Sequence, residues 1–303
     1  MLDRVDIQDF GCIRDTTVAL TAIHALIGPN DSGKSTVLRA LLRAANAVRN
    51  GSMNDNIRAW SEGRWSGRRR GQIAERHVTS GVGNPAIVRW VPESLRRVSP
   101  NLTDVSSFLL SGVGLPGMLS RTFTSDDTAL STLNARLSAT FPSIAKMRVE
   151  PNDAQGWRIA VTLQNGQRVS VDELSDGVLY WLAFESLRYL EDEWLLLLEE
   201  PENGLHPSRI AEVMATIKHV VAKSNGRIQV VMATHSPLVI NELEPDQVTL
   251  VTRDVERGTQ VTPMRQTKNF EERSKVYALG ELWLSYANGR DEVELMPTSS
   301  GAP

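Results

Sequence analysis

Hydrophobic and polar positions along the chain follow two periods. "RVDIQDF" (4–10) and "TTVALT" (16–21) alternate as half-buried strands do. "AIHALI" (22–27) is apolar almost throughout and stops at Gly28, as a central strand would. In "STVLRALLRAANAVRN" (35–50) leucines and alanines return every three or four positions, which predicts a helix stopping at Asn50-Gly51. Residues 22–50 therefore read as strand, glycine-bearing loop, helix.

Further on, "AIVRWV" (86–91) suggests a strand, and "LSTLNARLSATFPSI" (130–144) a helix ended by Pro142. "KMRVEP", "GWRIAVTLQ" and "QRVSV" read as successive strands, the last two joined through Asn165-Gly166, a strong hairpin signal. After residue 172 the pattern changes. "GVLYWLAFESLRYL" is helical, "WLLLL" (194–198) is a buried strand, and "SRIAEVMATIKHVVAK" is a helix started by Pro207-Ser208. "IQVVMA" and "VTLVTR" are two more strands. Strand and helix alternate, which predicts an α/β fold with a mostly parallel central sheet flanked by helices, plus an antiparallel part and a helical insert. "YALGELWLSYANG" (277–289) predicts a closing helix, with Trp283 and Tyr286 as packing residues rather than a base-stacking platform. The expected organisation is a core of 1–50 and 145–295, an insert of 51–144, and a disordered tail of 296–303.

Composition adds exclusions. The 303 residues are 41% apolar and 23% charged, with a net charge of −3, so no global field favours nucleic acid or an anionic membrane. Between Arg58 and Arg97 there are nine arginines against three acids. This local excess reads first as a solvated or partner-facing loop, with direct phosphate contact to DNA as the alternative. One cysteine, Cys12, cannot form an internal disulfide and suits a reducing compartment. "MLDRVDIQDF" is charged from its third residue, unlike a secretory leader, and no apolar run approaches the roughly 18 residues of a membrane span. A cytoplasmic globular protein with no membrane association is expected.

Two stretches carry chemistry. "GPNDSGKST" (28–36) fits G-x-x-x-x-G-K-[ST] between a strand and a helix. Gly28 and Gly33 permit backbone conformations closed to other residues. The N–H groups of Pro29-flanked Asn30, Asp31, Ser32, Gly33 and Lys34 through Thr36 can then face phosphate oxygens at a helix N-terminus. Lys34 is expected to reach the β- and γ-phosphates, and Ser35 to ligate Mg²⁺. The second stretch is "WLLLLEEPENGLHP" (194–207), a buried run ending in two carboxylates. At the carboxyl edge of a parallel sheet those acids lie beside the phosphate loop. Magnesium nucleotide supplies the compensating charge: Glu199 is expected to hold the metal and Glu200 to orient and polarise the attacking water.

With "LSDG" (174–177) lying between the two, and "ATHSP" (233–237) following the next strand, the chain resembles the ABC-type ATPase heads. It is most similar to the RecF, SMC and OLD-like group, over roughly 1–50 and 145–255. The resemblance implies that Ser175 and Gly177 cap the γ-phosphate of ATP held by an opposite subunit. It also implies that His235 is the switch histidine contacting the γ-phosphate or the water. Asn203, Gly204 and Leu205 fall in the D-loop, a subunit contact, and His206 supports that turn rather than a metal. The implied assembly is a homodimer with ATP and Mg²⁺ at its interface. It is expected to drive or gate a separate effector, such as a nuclease, in DNA maintenance or phage defence. A RecF/SMC-like repair ATPase acting directly on DNA is the alternative, and a transporter ATPase is disfavoured by the motif spelling. Glu199 stands where Asp is usual, Asp31 and Asp176 where Gly is common, and only Gln72 offers itself as a Q-loop glutamine. The insert shows no heptads of an SMC coiled coil, and the stretch after Leu250 is too short for the Toprim nuclease of OLD proteins.

Overall fold

The computed structural model describes residues 1–50, 57–61, 64–66, 84–100, 105–152, 156–192 and 194–287. In chain order the elements begin with β1 (Arg4–Phe10), β2 (Ile13–Ala19), β3 (Ile23–Ile27), α1 (Lys34–Asn50), β4 (Ile57–Ser61), β5 (Arg64–Ser66) and β6 (Asn84–Val88). Next come α2 (Pro92–Arg96), β7 (Ser99–Pro100), α3 (Val105–Ser111), α4 (Leu115–Ser125), α5 (Ala129–Thr140), β8 (Ile144–Asn152), β9 (Gly156–Leu163), β10 (Arg168–Ser170) and α6 (Asp176–Ser186). The chain continues through β11 (Trp194–Glu199), α7 (Pro207–Lys223), β12 (Ile228–Thr234), α8 (Pro237–Asn241), β13 (Val248–Asp254), β14 (Gly258–Pro263), α9 (Phe270–Arg273) and α10 (Leu279–Ala287).

These elements form two compact units. One comprises Met1–Ile87, Asp192–Asn203 and Ile210–Pro303; the other comprises Val88–Glu191 and Gly204–Arg209. The division differs from the expected core and insert. Strands β8 to β10 and helix α6 gather with the insert, because their apolar faces pack on α4 and α5. The expected tail, 296–303, lies outside the described residues.

The first unit is built on a sheet with the order β5-β4-β1-β2-β14-β13-β3-β12-β11-β6. Its centre, β13-β3-β12-β11, is parallel, and the flank from β14 to β5 is antiparallel. The sheet is thus mixed, with the parallel part confined to the centre. Burial explains the split. In β3 and β12 every residue is buried, and in β11 only Glu199 is not, as expected of parallel strands covered on both faces. β1 instead alternates between buried and half-exposed positions. Helix α1 lays Val37, Leu38, Leu41, Ala44, Ala45 and Val48 into a core shared with Leu195 and Leu197 of β11 and Val231 of β12.

In the second unit β9 pairs with β8 on one side and with β7 and β10 on the other, all antiparallel. The β9–β10 hairpin turns at Gly166, with φ +85°. Trp90 stacks on Phe108 with ring centroids 5.2 Å apart and meets Phe184 edge-on at 5.0 Å. Glu185, 1% exposed, is neutralised by Arg136 through two bonds of 2.6 and 2.8 Å and by Arg188 at 2.8 Å.

Candidate nucleotide site

The parallel strands place their carboxyl ends abreast. Glu199 pairs with Ala233, Ala233 with Leu26, Thr234 with Ile27, and Ile27 with Leu250. The chain segments leaving β3, β11 and β12 therefore share one sheet edge, where α/β folds hold ligands. Gly28–Thr36, Glu199, Glu200 and His235 all lie there. β11 and β3 are separated by one strand, roughly 10 Å at the usual strand spacing.

The loop after β3 depends on its two glycines. A Cβ on Gly28 would stand 2.1 Å from the Val251 carbonyl oxygen. Gly33 has φ +104°, and a Cβ there would stand 2.3 Å from Thr259 Oγ1. Thr259 is fully buried beneath the loop, donating its hydroxyl to the Ser32 carbonyl at 3.0 Å. Asp31 also takes a left-handed conformation, φ +66°, and its carboxylate receives Arg253 Nη1 at 2.9 Å. The Lys34 ammonium donates to the carbonyls of Gly28 and Pro29, both at 2.8 Å. Burial lowers the Lys34 pKa, while the charges of Glu200 and Glu202 act to raise it. Ser35 and Thr36 are half-buried in the first turn of α1. A cleft of about 920 Å³ runs beside the loop, lined among others by Gly11, Cys12, Arg14, Asp31 and Arg253.

Glu199 closes β11, and Glu200 follows with φ +48°, a conformation that costs a non-glycine residue of order 1 kcal/mol. Its geometry is held on several sides. Glu200 N donates to the Ala233 carbonyl at 2.8 Å, and Asn203 Nδ2 donates to Glu200 Oε2 at 2.6 Å. His235 Nδ1 lies 3.4 Å from Glu200 Oε1. A third carboxylate, Glu202, is the residue that sequence reasoning missed. Its side chain is 9% exposed, and its Oε1 accepts from Thr234 Oγ1 at 2.6 Å and from the His235 N–H at 3.4 Å. The signal was present as the third acid of "EEPE" and the threonine of "ATHSP". Helix α10 steadies the same turn: Trp283 Nε1 donates to the His235 carbonyl at 3.0 Å, and Gly280 N–H donates to Asn241 Oδ1 at 2.7 Å. The Trp283 reading as a packing residue agrees with its 3% exposure; the side chain of Tyr286 lies outside the described residues.

Ser175 and Gly177 belong to the other unit. Ser175 is the N-cap of α6, exposed, in extended geometry, and its side chain makes no capping bond. A Cβ on Gly177 would meet only the Gly204 carbonyl oxygen, at 3.8 Å, and its φ is not positive. Nothing among the described residues calls for glycine there. Gly204, by contrast, has φ +77° and lies so close to the Tyr180 ring that a Cβ would overlap it. His206 Nδ1 accepts from the Ser208 N–H at 3.3 Å at the start of α7, as the expected turn-supporting residue would. Among the described residues no group of three His, Cys, Asp or Glu side chains is placed to hold a metal by itself. Of the arginine run, Arg68, Arg69, Arg70 and Arg76 lie outside the described residues, as does Gln72, and the side chains of Arg58 and Arg64 are not described. No helix among the described residues is long and apolar enough to cross a membrane.

The fit of this edge to a magnesium nucleotide rests on its own residues. Added side-chain carbon is excluded at two loop positions, and the buried Ser32 hydroxyl has no hydrogen-bond partner among the described residues. Lys34 and Glu200 are in electrostatic reach of each other.

Comparisons with known proteins bear on the family and the fold. The family described as "AAA domain, putative AbiEii toxin, Type IV TA system" matches residues 117–241, and "AAA ATPase domain" matches residues 1–60. The OLD nuclease of Thermus scotoductus is 42% identical over 41 residues, 14% of this chain and only 8% of that protein's length. Among solved structures, an Smc head bound to the C-terminal winged-helix domain of ScpA superposes with a TM-score of 0.57 at 12% identity, covering 86% of this chain and 96% of that one. A Pyrococcus furiosus Smc head with an extended coiled coil, bound to the C-terminal domain of ScpA, gives 0.52 at 11% identity, covering 90% and 99%. Two AAA ATPase family models thus match separate parts of the chain, and its fold is similar to that of the Smc heads.

Proposed function

We propose that the chain binds and hydrolyses ATP between two copies of itself and uses that cycle to gate a separate effector protein. One observation carries the hydrolytic part: Glu200 is held in a strained left-handed backbone at the sheet edge shared with the Gly28–Ser35 loop, its carboxylate divided between Asn203 and His235. The loop N–H groups and the α1 N-terminus bind the β- and γ-phosphates, and the adjoining cleft receives the nucleoside. Lys34 turns its ammonium from the two loop carbonyls toward the phosphates. Ser35 and Glu199 would hold Mg²⁺, which offsets phosphate charge and polarises the γ-phosphoryl oxygens. Glu200 accepts a hydrogen bond from the attacking water, and His235 lies beside it toward the γ-phosphate.

The dimer is supported by the second unit. Ser175 presents an unspent hydroxyl at a helix N-terminus, and Gly177 leaves room that its own chain does not use. Both features suit an anion arriving from outside. The effector is proposed from likeness alone: a nuclease relative, and Smc heads solved with ScpA domains. A cytoplasmic setting and a role in DNA maintenance or phage defence belong to the same proposal.

The test is Glu200→Gln. Turnover should fall by several orders of magnitude while ATP and Mg²⁺ convert the protein to a long-lived dimer, read by light scattering after size exclusion. A Glu200→Gln protein that hydrolyses ATP at the parent rate, or stays monomeric with ATP at micromolar concentration, refutes the respective half of the proposal.

A further inference from the structure

Asp176 brings a charge that the proposed sandwich must accommodate. It is the first residue of α6, one position from Ser175, and half exposed, so a carboxylate stands where a γ-phosphate is proposed to dock. The two anions would repel each other in a site closed to water. The structure shows what meets that charge. Arg96, the last residue of α2, donates Nη2 to Asp176 Oδ1 at 2.7 Å. The same nitrogen donates to the Leu174 carbonyl at 2.8 Å. The arginine side chain is only 20% exposed, so it is held against the turn rather than ranging through solvent. Its two acceptors lie on either side of Ser175. One guanidinium therefore fixes the peptide before the serine and the side chain after it.

We propose that Arg96 is the positioning residue of the "LSDG" turn. It neutralises Asp176 and ties down the peptide before Ser175 and the side chain after it, so that the serine hydroxyl and the first N–H groups of α6 face the γ-phosphate of a nucleotide carried by a second copy. Arg96 does not touch that phosphate; it acts through Asp176 and Leu174. The inference rests on the ATP-sandwich reading and adds the device that lets an acid occupy the signature. A lysine keeps the charge but has a shorter side chain, so its ammonium reaches the two acceptors only in part.

The experiment uses the full chain carrying Glu200→Gln, with dimerisation followed by sedimentation velocity across ATP concentrations and monomer-level nucleotide binding followed with a fluorescent ATP analogue. Adding Arg96→Gln should weaken ATP-dependent dimerisation at least tenfold and leave nucleotide binding to the monomer unchanged. Arg96→Lys should retain part of the loss-free behaviour. Combining Arg96→Gln with Asp176→Asn should restore most of the dimer, because the charge to be neutralised is gone. A merely structural tie between α2 and α6 gives the opposite pattern: Tm falls in step with dimer loss, and Asp176→Asn rescues nothing. If Arg96→Gln dimerises as well as its Glu200→Gln parent, the Arg96 role alone is refuted. If the parent itself never dimerises with ATP, the sandwich falls and this inference with it.

Discussion

Gly177→Ala separates what the fold needs from what a ligand needs. In the free chain the added methyl would have one neighbour, the Gly204 carbonyl oxygen at 3.8 Å, an ordinary van der Waals distance. The residue is the second of α6 and its φ is not positive, so alanine adopts the conformation without strain. Alanine also loses less backbone entropy than glycine on entering a helix, by roughly 0.5–1 kcal/mol in the interior and toward the lower figure in a first turn. The variant should therefore be slightly more stable than its parent, with Tm raised by about 1 °C. The proposed sandwich would place a phosphate against that same surface, and a methyl group would push it outward. A loss of about 2 kcal/mol, roughly 30-fold in dimer affinity, is expected. Differential scanning calorimetry without nucleotide and sedimentation with ATP read the two effects separately. Wild-type dimerisation and turnover in Gly177→Ala would refute docking at this turn. A fall in Tm would show that the glycine serves the fold.

Two further outcomes follow from local geometry. Gly33→Ala must displace Thr259 Oγ1, 2.3 Å from the new carbon, and force φ +104° on an alanine; both stability and ATP binding should drop, checked by melting and nucleotide titration. His24, 2% exposed on β3, has its pKa lowered to about 4 by burial. The unfolded chain protonates this residue near 6.5, so the stabilisation is complete above that pH and is lost as pH falls toward 4, about 3 kcal/mol in all. A His24→Gln variant should show a shallower fall in urea-unfolding free energy across that window; an equal slope would exclude His24 as the source.

The central strands were legible because burial on both faces writes itself as an uninterrupted apolar run, as in Trp194–Leu198. Hairpin β9–β10 was legible because Asn165-Gly166 specifies its turn. β14 carries no such pattern: "GTQVTP" has two buried threonines, Thr259 and Thr262, and a buried hydroxyl cannot be told from a solvated one without its acceptor. Helices α3 and α4 leave no clear helical period in the sequence, because glycine and proline interrupt 105–125. His24 shows the same limit in reverse. Thr21 gives its own proton to the Ile23 carbonyl, so it accepts from His24 Nδ1–H, and Nε2 accepts from the Thr249 hydroxyl at 2.9 Å. The imidazole is thereby satisfied as a neutral structural group by a residue 225 positions away.

The acids of the site divide by partner rather than by spelling. Glu200 and Glu202 are the same residue type two positions apart, and periodicity cannot rank them. Exposure does: the Glu200 side chain is 37% exposed and that of Glu202 9%, with one Glu202 oxygen spent on the buried Thr234. Water can reach the first and not the second, which is why Glu200 is proposed to hold the nucleophile while Glu202 braces the turn that carries His235. Asp31 and Asp176 extend the same logic. Each stands where a glycine is common in the resembling proteins, and each is met by an arginine distant in sequence, Arg253 at 222 positions and Arg96 at 80. A carboxylate beside a phosphate site is tolerable once a guanidinium has claimed it, and that pairing exists only after the chain has folded.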